Sequence, residues 1–563
     1  MSTGSTKSQS RNRQRSVGGT TANAPAGAGT NATAVIPEHV WQVASISILA
    51  AAAFLRLYAL TLKPLHHDEG VNGFFLTRLF REGVYQYDPA NYHGPTLYYF
   101  AVVIPKLTSK LASVFPSLAQ HSLNTFVIRL VPAAFGVATV WLVLLLRRRL
   151  GSVGALSAAA LLAVSPGAVY LSRYFIHESL FVFFTLGIVV AALNYYDSAR
   201  PVYLMLAAVS AALLFATKET AIISVLVLVI AAASTAIYMR LRRSSTGRTK
   251  KDKRAARRKY AGQGAPQEQQ QWREPLARFG EASDMAVFGF AAVTIFVLVN
   301  VLFYSSFFTH AKGVSDAVET FKFWTKTGKT EHVHEWYTYL SWLWQEESPL
   351  LLLGAAGAAM AVWRARNRFA LFAALWAFGI LAAYSLVPYK TPWLTLNIIV
   401  PLAIIGGYAA NLIYWGGRRT HPVALALTLA AALGVCVYQT ITLNFYHYDD
   451  DAYVYVYAHT RRQFLSLVDD INLIAERAGT GHETTISVST PDYWPLPWYL
   501  LDYSRVGYHG RISVSGEAIV IGSETQELEL QAALGDRYRQ IGSYSLRPGV
   551  TLVLYARRDL AGQ

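Results

Sequence analysis

The 563-residue chain reads as an α-helical polytopic membrane protein of about eleven transmembrane helices, followed by a small C-terminal α/β domain. Composition and pattern predict this together. Hydrophobic residues make up 53% of the chain and charged ones 15%, where soluble proteins carry about 25% charged residues. The apolar residues are not scattered but fall in blocks of about 20, the length that crosses a hydrocarbon core. From about residue 443 the blocks give way to short mixed segments.

Residues 1–38 are rich in Ser, Thr, Gly, Ala and Asn, with Arg11, Arg13 and Arg15 among them. Such a stretch cannot bury a core, and it predicts a disordered tail. The first apolar run starts near Val40, too deep and too long for a cleaved signal peptide, and reads as an uncleaved first helix. Spans follow near 40–62, 124–146, 152–171, 178–196, 202–217, 220–239, 285–306, 349–363, 368–387, 393–415 and 422–442. These make up a membrane domain over 39–442. Tyr98 to Phe115 is interrupted by Lys106 and Lys110 and reads as a helix lying in the interface, within a long first loop at 63–123.

Basic residues orient the chain. With the N-terminus in the cytoplasm, the cytoplasmic joints include Arg147-Arg148-Arg149, the loop 240–284, Trp363 to Arg368 and Gly416 to His421. The loop 240–284, basic and then Gln-rich, reads as a flexible linker facing lipid headgroups. Much of the net charge of +16 lies in this loop and the N-terminal tail. The charge therefore reports topology and lipid contact rather than nucleic acid. The lone cysteine, Cys436, lies in an apolar run, which excludes an intrachain disulfide. Residues 443–563 read as an extracytoplasmic domain. "TTISVST", "AIVIG" and "TLVLYARRDL" are strand-like, and "HTRRQFLSLVDDINLIAERAG" has helical spacing with a Gly stop.

In this topology the unusual polar residues collect on the outer face of the plasma membrane. "KPLHHDEG" places His66, His67, Asp68 and Glu69 just after the first span, with Asp88, Tyr92 and His93 further along the loop. "SRYFIHES" holds Arg173, His177 and Glu178, and "TKET" holds Lys218 and Glu219. "EHVHEW" holds His332 and His334, and "PYKTPWL" holds Lys390 and Trp393. Ionisable groups at span ends mark sites or pathways. Ordinary readings stand beside this one. Asp68 can cap the following helix, Arg173 and Lys218 can snorkel to headgroups, and Lys390 can be a solvated turn residue. After "HHDE", Val71, Phe74, Phe75 and Leu79 share a helical face, which predicts a helix lying flat with that face toward lipid.

A carboxylate at phosphate depth, facing cations, suits transfer of a sugar from a polyprenyl phosphate. The carboxylate takes the proton of the acceptor. A cation, Lys390, Arg173 or Lys218, takes the charge that develops on the leaving phosphate. Membrane burial of the prenyl chain supplies the positioning.

The motifs "LHHDEGVNGFF", "YDPANYHGPTLYY", "SRYFIHES", "TKET", "PYKTPWL" and "YWPLPWYL", in this order, resemble the GT-C glycosyltransferases. The nearest branch is the protein mannosyltransferase-like family 39 and, more narrowly, the flippase-activity-associated proteins of archaea and bacteria. The resemblance runs from about Val40 to the C-terminus. It implies inverting transfer from a lipid-phosphate sugar to a protein, lipid or glycan acceptor. Asp68 matches the acidic catalytic residue, with Glu69 beside it. Asp88 falls where related aminoarabinose transferases carry a second acidic residue. Those relatives can hold a divalent metal there with a histidine from a later loop, which makes Asp88, His332 and His334 the metal candidates; no other cofactor is implied. His67, Tyr92, His93, Glu178 and Trp393 are the expected substrate contacts. The His66-His67 pair departs from the mannosyltransferases and leaves acceptor and metal open. Two rivals remain. A non-catalytic accessory or transport protein for lipid-linked sugars would use the cations but not Asp68. An oligosaccharyltransferase would carry a "WWDxG"-type motif, which the sequence lacks.

Overall fold

A computed structural model describes residues 36–90, 93–115, 123–246, 282–324, 332–415, 421–513 and 515–562. Most of the expected N-terminal tail, the Gln-rich part of the basic loop and Tyr92 lie outside the described residues. Eight helices are long and apolar enough to cross a membrane. The bent pair Arg147–Ala163 and Pro166–Ser172 brings the number to nine if it is one broken span, and the shorter apolar helices Pro201–Phe215 and Ser348–Arg364 fall on the two remaining expected blocks. We label the first seven helices α1 (Glu38–Leu57), α2 (His67–Glu82), α3 (Thr96–Leu111), α4 (Thr125–Leu144), α5 (Arg147–Ala163), α6 (Pro166–Ser172) and α7 (Glu178–Ser198).

The α5–α6 pair bends by 58°. Pro166 sits in the first turn of α6, where it cannot continue the hydrogen-bond ladder of α5, and the Ser165 hydroxyl caps the new helix by accepting the Ala168 N–H. The bundle is held by close backbone approach as well as by apolar side chains. A Cβ at Gly407, on the helix Leu396–Tyr414, would lie 2.3 Å from the Gly154 carbonyl of α5. Small residues at such a crossing let two membrane helices touch along their backbones.

The first loop differs from the flat interfacial helix that its apolar stripe suggests. α2 buries Glu69, Gly70, Asn72, Gly73, Leu76, Thr77 and Leu79, and Phe74 of the stripe is exposed. The buried side meets protein. The Asn72 amide donates to the Phe175 carbonyl and accepts from the Tyr98 hydroxyl of α3. Gly70 and Gly73 admit Pro495 and Trp498 of the C-terminal domain, whose atoms would stand 2.7 and 2.6 Å from a Cβ at the two positions.

That domain is a five-stranded sheet in the order β2-β1-β3-β5-β4. The strands are β1 (Ile486–Val488), β2 (Val506–Tyr508), β3 (Ile519–Ser523), β4 (Tyr538–Arg547) and β5 (Val550–Arg557). The first three pair in parallel, and β5 runs antiparallel to both β3 and β4. The amphipathic helix Phe464–Arg477 packs its Phe464, Leu467, Ile471 and Ile474 into the same core. The expected strands and helix are present; β2 and β4 are additional.

Candidate functional site

The entry to α2 is built by one buried arginine. Arg129, on α4, donates through Nε and Nη2 to both oxygens of Glu69 at 2.7 Å. Its remaining N–H groups reach the carbonyls of Leu60, Lys63 and Pro64. Glu69 also accepts the N–H of Phe175 at 2.8 Å and of His66 at 2.9 Å. Burial alone would raise the Glu69 pKa; the Arg129 charge and these hydrogen bonds outweigh it and hold the carboxyl below its ordinary value. Glu69, assigned with Asp68 to chemistry from the sequence, thus has both oxygens committed to the fold.

Asp68 faces the other way. Its backbone N–H donates to His66 Nδ1, and the His66 Nε2 donates to the Tyr457 carbonyl at 3.2 Å. The Asp68 carboxylate is 3.8 Å from His66 Nδ1, and its side chain is 42% exposed. Lys63 lies beneath, with Nζ 3.7 and 3.5 Å from the ring centres of Tyr170 and Tyr174.

Three distant segments join this entry. Trp393 approaches both His66 and Tyr457, with ring centres 6.1 Å apart in each pair. The Tyr457 hydroxyl bonds His332 Nδ1 at 2.7 Å. The His332 carbonyl accepts the Lys390 N–H, and the Pro388 carbonyl accepts the His334 N–H, so the two segments pair around Val333 and Tyr389. Lys390 is buried, and its ammonium donates to the carbonyls of Val387 and His334 at 2.6 and 3.3 Å. Among the described residues no carboxylate forms an ion pair with it. A contact chain of His66, Tyr457 and His332 therefore links the Asp68 turn to the Lys390 turn.

Lys218 belongs to a second cluster. It pairs with Glu178 at 2.6 Å, and Glu219 lies 3.3 Å from His93 Nδ1. His93 and Lys218 form an isolated bridge, and His177 Nε2 reaches the Gly94 carbonyl. The structure thus brings His93, Glu178 and Lys218 together, with the Lys218 charge balanced.

Arg173 joins neither cluster. Its guanidinium donates to the carbonyls of Leu55, Tyr58 and Ala59, closing the end of α1. Helix ends leave such carbonyls without partners, and a cation satisfies them well. Asp88 is exposed and accepts the Ala90 N–H in a local turn. His67 packs beside Trp494, and burial holds its imidazole below the ordinary value. Among the described residues no group of three or more His, Cys, Asp or Glu is placed to hold a metal ion. The donor set expected from Asp88, His332 and His334 is therefore not assembled.

Sequence reasoning missed Arg129, Lys63 and Tyr457. Arg129 had a signal, a charge inside an apolar span. Lys63 opens the "KPLHHDEG" motif. Tyr457 carries no local mark, since only tertiary folding brings it to His66.

Comparisons bear on this geometry. Residues 103–247 match the family model of the dolichyl-phosphate-mannose-protein mannosyltransferases. ArnT from Cupriavidus metallidurans, in its apo state, superposes with a TM-score of 0.59 at 15% identity, covering 93% of this chain and 99% of that one. The fold is GT-C. ArnT from the same organism bound to undecaprenyl phosphate matches with a TM-score of 0.58, again at 15% identity over 93% of this chain and 99% of that one. The archaeal oligosaccharyltransferase AglB from Archaeoglobus fulgidus, in complex with an inhibitory peptide and a dolichol-phosphate, matches at 0.50 and 14% identity, over 87% of this chain and 70% of that one. No curated protein sequence matches it significantly. In this chain the C-terminal domain packs on the first-loop helix at His67 and Gly70, and the Lys390 turn reaches it through His332, Tyr457 and His66.

Proposed function

We propose that the protein transfers a sugar from a polyprenyl-phosphate donor to an acceptor on the outer face of the membrane, with inversion and with Asp68 as general base. One observation carries this reading: the half-exposed Asp68 carboxylate is fixed by the buried Glu69–Arg129 pair and linked through Tyr457 and His332 to a buried lysine that forms no ion pair among the described residues. The solved ArnT and AglB structures with undecaprenyl phosphate and dolichol-phosphate support a polyprenyl-phosphate carrier for a chain of this fold.

The chemistry follows from the groups. The acceptor oxygen attacks the anomeric carbon from the face opposite the phosphate. Its proton passes to Asp68, the carbon–oxygen bond to phosphate breaks, and the electron pair leaves on the phosphate. Lys390 donates to the oxygen that gains charge, in a site where such a hydrogen bond is stronger than in water. Glu69 and Arg129 position Asp68. Lys218, paired with Glu178, takes no part in this step.

The test is transfer of radiolabelled sugar from polyprenyl-phosphate donors by the purified full chain in nanodiscs, compared with Lys390→Met. Turnover at saturating donor falls by roughly 10²–10³ in the variant, as for a lost oxyanion donor. A change confined to donor KM would instead mark Lys390 as an equal contact in ground and transition states. Unchanged turnover and unchanged donor affinity would remove it from the site.

The arginine pattern supports a topology in which this end of the bundle, and the C-terminal domain with it, lies outside the cytoplasm. A cysteine at the exposed Glu483 is then labelled by an impermeant thiol reagent in intact cells. The native Cys436 is buried and contributes no background. Protection of the new cysteine until lysis would reverse the orientation.

A further inference from the structure

The C-terminal domain brings a set of side chains to the α2 entry that the donor chemistry does not use. Trp494 lies against His67, ring centres 6.3 Å apart, and its Cε3 would be 3.1 Å from a Cβ at Gly70. His67 and Gly70 flank the Asp68-Glu69 pair in sequence. Trp494 is followed outward by Tyr493, at 5.6 Å, and then Tyr508, at 5.0 Å. All three rings are only partly buried. Beside them Arg547 pairs with the exposed Asp492 at 2.5 Å. The Arg547 Nη1 is buried and has no hydrogen-bond partner among the described residues. The charges of both Asp492 and Arg547 reach His67.

We propose that Tyr493, Trp494, Tyr508, Asp492, Arg547 and His67 form the acceptor platform, and that the acceptor is a neutral carbohydrate presenting a hydroxyl to Asp68. This rests on the transferase reading above and names its acceptor class. A pyranose has an apolar face of C–H bonds and a rim of hydroxyls. Flat aromatic rings match the face, and each of the three has a large apolar area with few rotatable bonds. The Asp492–Arg547 pair offers acceptors and a planar fork of donors to the rim. The pair is also neutral overall. A phosphorylated acceptor would call for an uncompensated cation, and Arg547 is already matched by Asp492. In the transfer step the sugar hydroxyl held here attacks the donor's anomeric carbon, loses its proton to Asp68, and displaces the phosphate with its electron pair.

The experiment uses the full-length protein in nanodiscs without donor. Saturation-transfer NMR is recorded with mannotriose, maltotriose and chitotriose as probes. At least one trisaccharide binds the wild type, and Trp494→Ala weakens its binding about tenfold, the worth of one well-placed aromatic contact. Trp494→Phe recovers part of the loss. Because Trp494 also packs on Gly70, Asp492→Asn at an exposed position provides the variant that keeps the fold, and it weakens binding too. Absence of binding by all three probes overturns the proposal, as does binding insensitive to both Trp494→Ala and Asp492→Asn. Undecaprenyl phosphate binding, read on the same samples, tests the donor reading separately. Glycan binding without lipid binding upholds the platform and overturns the donor assignment.

Discussion

Replacing Asp68 by Asn should sharply reduce sugar transfer and leave the protein folded and able to bind a polyprenyl phosphate. The expected loss is about 10²–10⁴ in turnover, the range contributed by a positioned general base. The substitution is nearly isosteric. The Asp68 carboxylate is 42% exposed and, among the described residues, forms an ion pair only with His66, at 3.8 Å, so folding stability should change by no more than about 0.5 kcal/mol. The backbone N–H of residue 68 still donates to His66 Nδ1. The measurement is transfer per folded molecule, with thermal unfolding and polyprenyl-phosphate binding as controls. Transfer within a few-fold of wild type, with intact folding, would sink the base assignment. It would favour the rival in which the protein assists lipid-linked sugars without catalysing transfer. Loss of transfer with lipid binding intact separates the two, because an accessory protein needs the phosphate site but not this carboxylate.

The membrane helices were legible because a span must be both long and apolar, and no other local pattern mimics that. The helix His67–Glu82 was legible through its spacing, but its cap was not: His66, rather than Asp68, is the N-cap, its ring accepting the Asp68 N–H while Glu69 accepts the His66 N–H. Nor was the side of it that faces protein. Gly70 and Gly73 look inert in a sequence, yet they form the seat for Pro495 and Trp498, and only the fold reveals what fills the space. Asp68 and Glu69 are adjacent and chemically alike. A helical turn points one to solvent and the other into the Arg129 guanidinium, a partner 60 residues away in the chain. Arg173 and Lys390 show the same limit in opposite directions. Both sit at span ends, but Arg173 meets the free carbonyls of α1 while Lys390 meets two carbonyls in its own corner. Strand β4 was missed because its Gly542 and its serines weaken the β signal, and its pairing with β5 supplies what local propensity does not.

Breaking the Glu69–Arg129 pair should cost more stability than any other single change at the site. Both side chains are 0% exposed, and the two oxygens and two nitrogens meet at 2.7 Å. Removing one partner from a buried pair leaves an uncompensated charge, which costs about 3–5 kcal/mol. Arg129→Met is the harsher change, because it also frees the carbonyls of Leu60, Lys63 and Pro64. Glu69→Gln keeps one acceptor oxygen but loses the charge, and it cannot serve the N–H groups of Phe175 and His66 while matching Arg129. Thermal unfolding in detergent should show both variants strongly destabilised, with Arg129→Met below Glu69→Gln. The double variant Glu69→Leu with Arg129→Met removes both charges, so its loss should be smaller than the sum of the losses in Glu69→Leu and Arg129→Met measured singly. Full recovery is not expected, since the Phe175 and His66 N–H groups and the three carbonyls stay buried without partners. A strictly additive double variant would show that the two residues act independently. Single variants within about 1 kcal/mol of wild type would show that the pair does not hold the turn, given the usual cost of breaking a buried ion pair. The same turn carries Asp68, so any folded Glu69 variant should also lose transfer while its donor affinity stays near that of wild type.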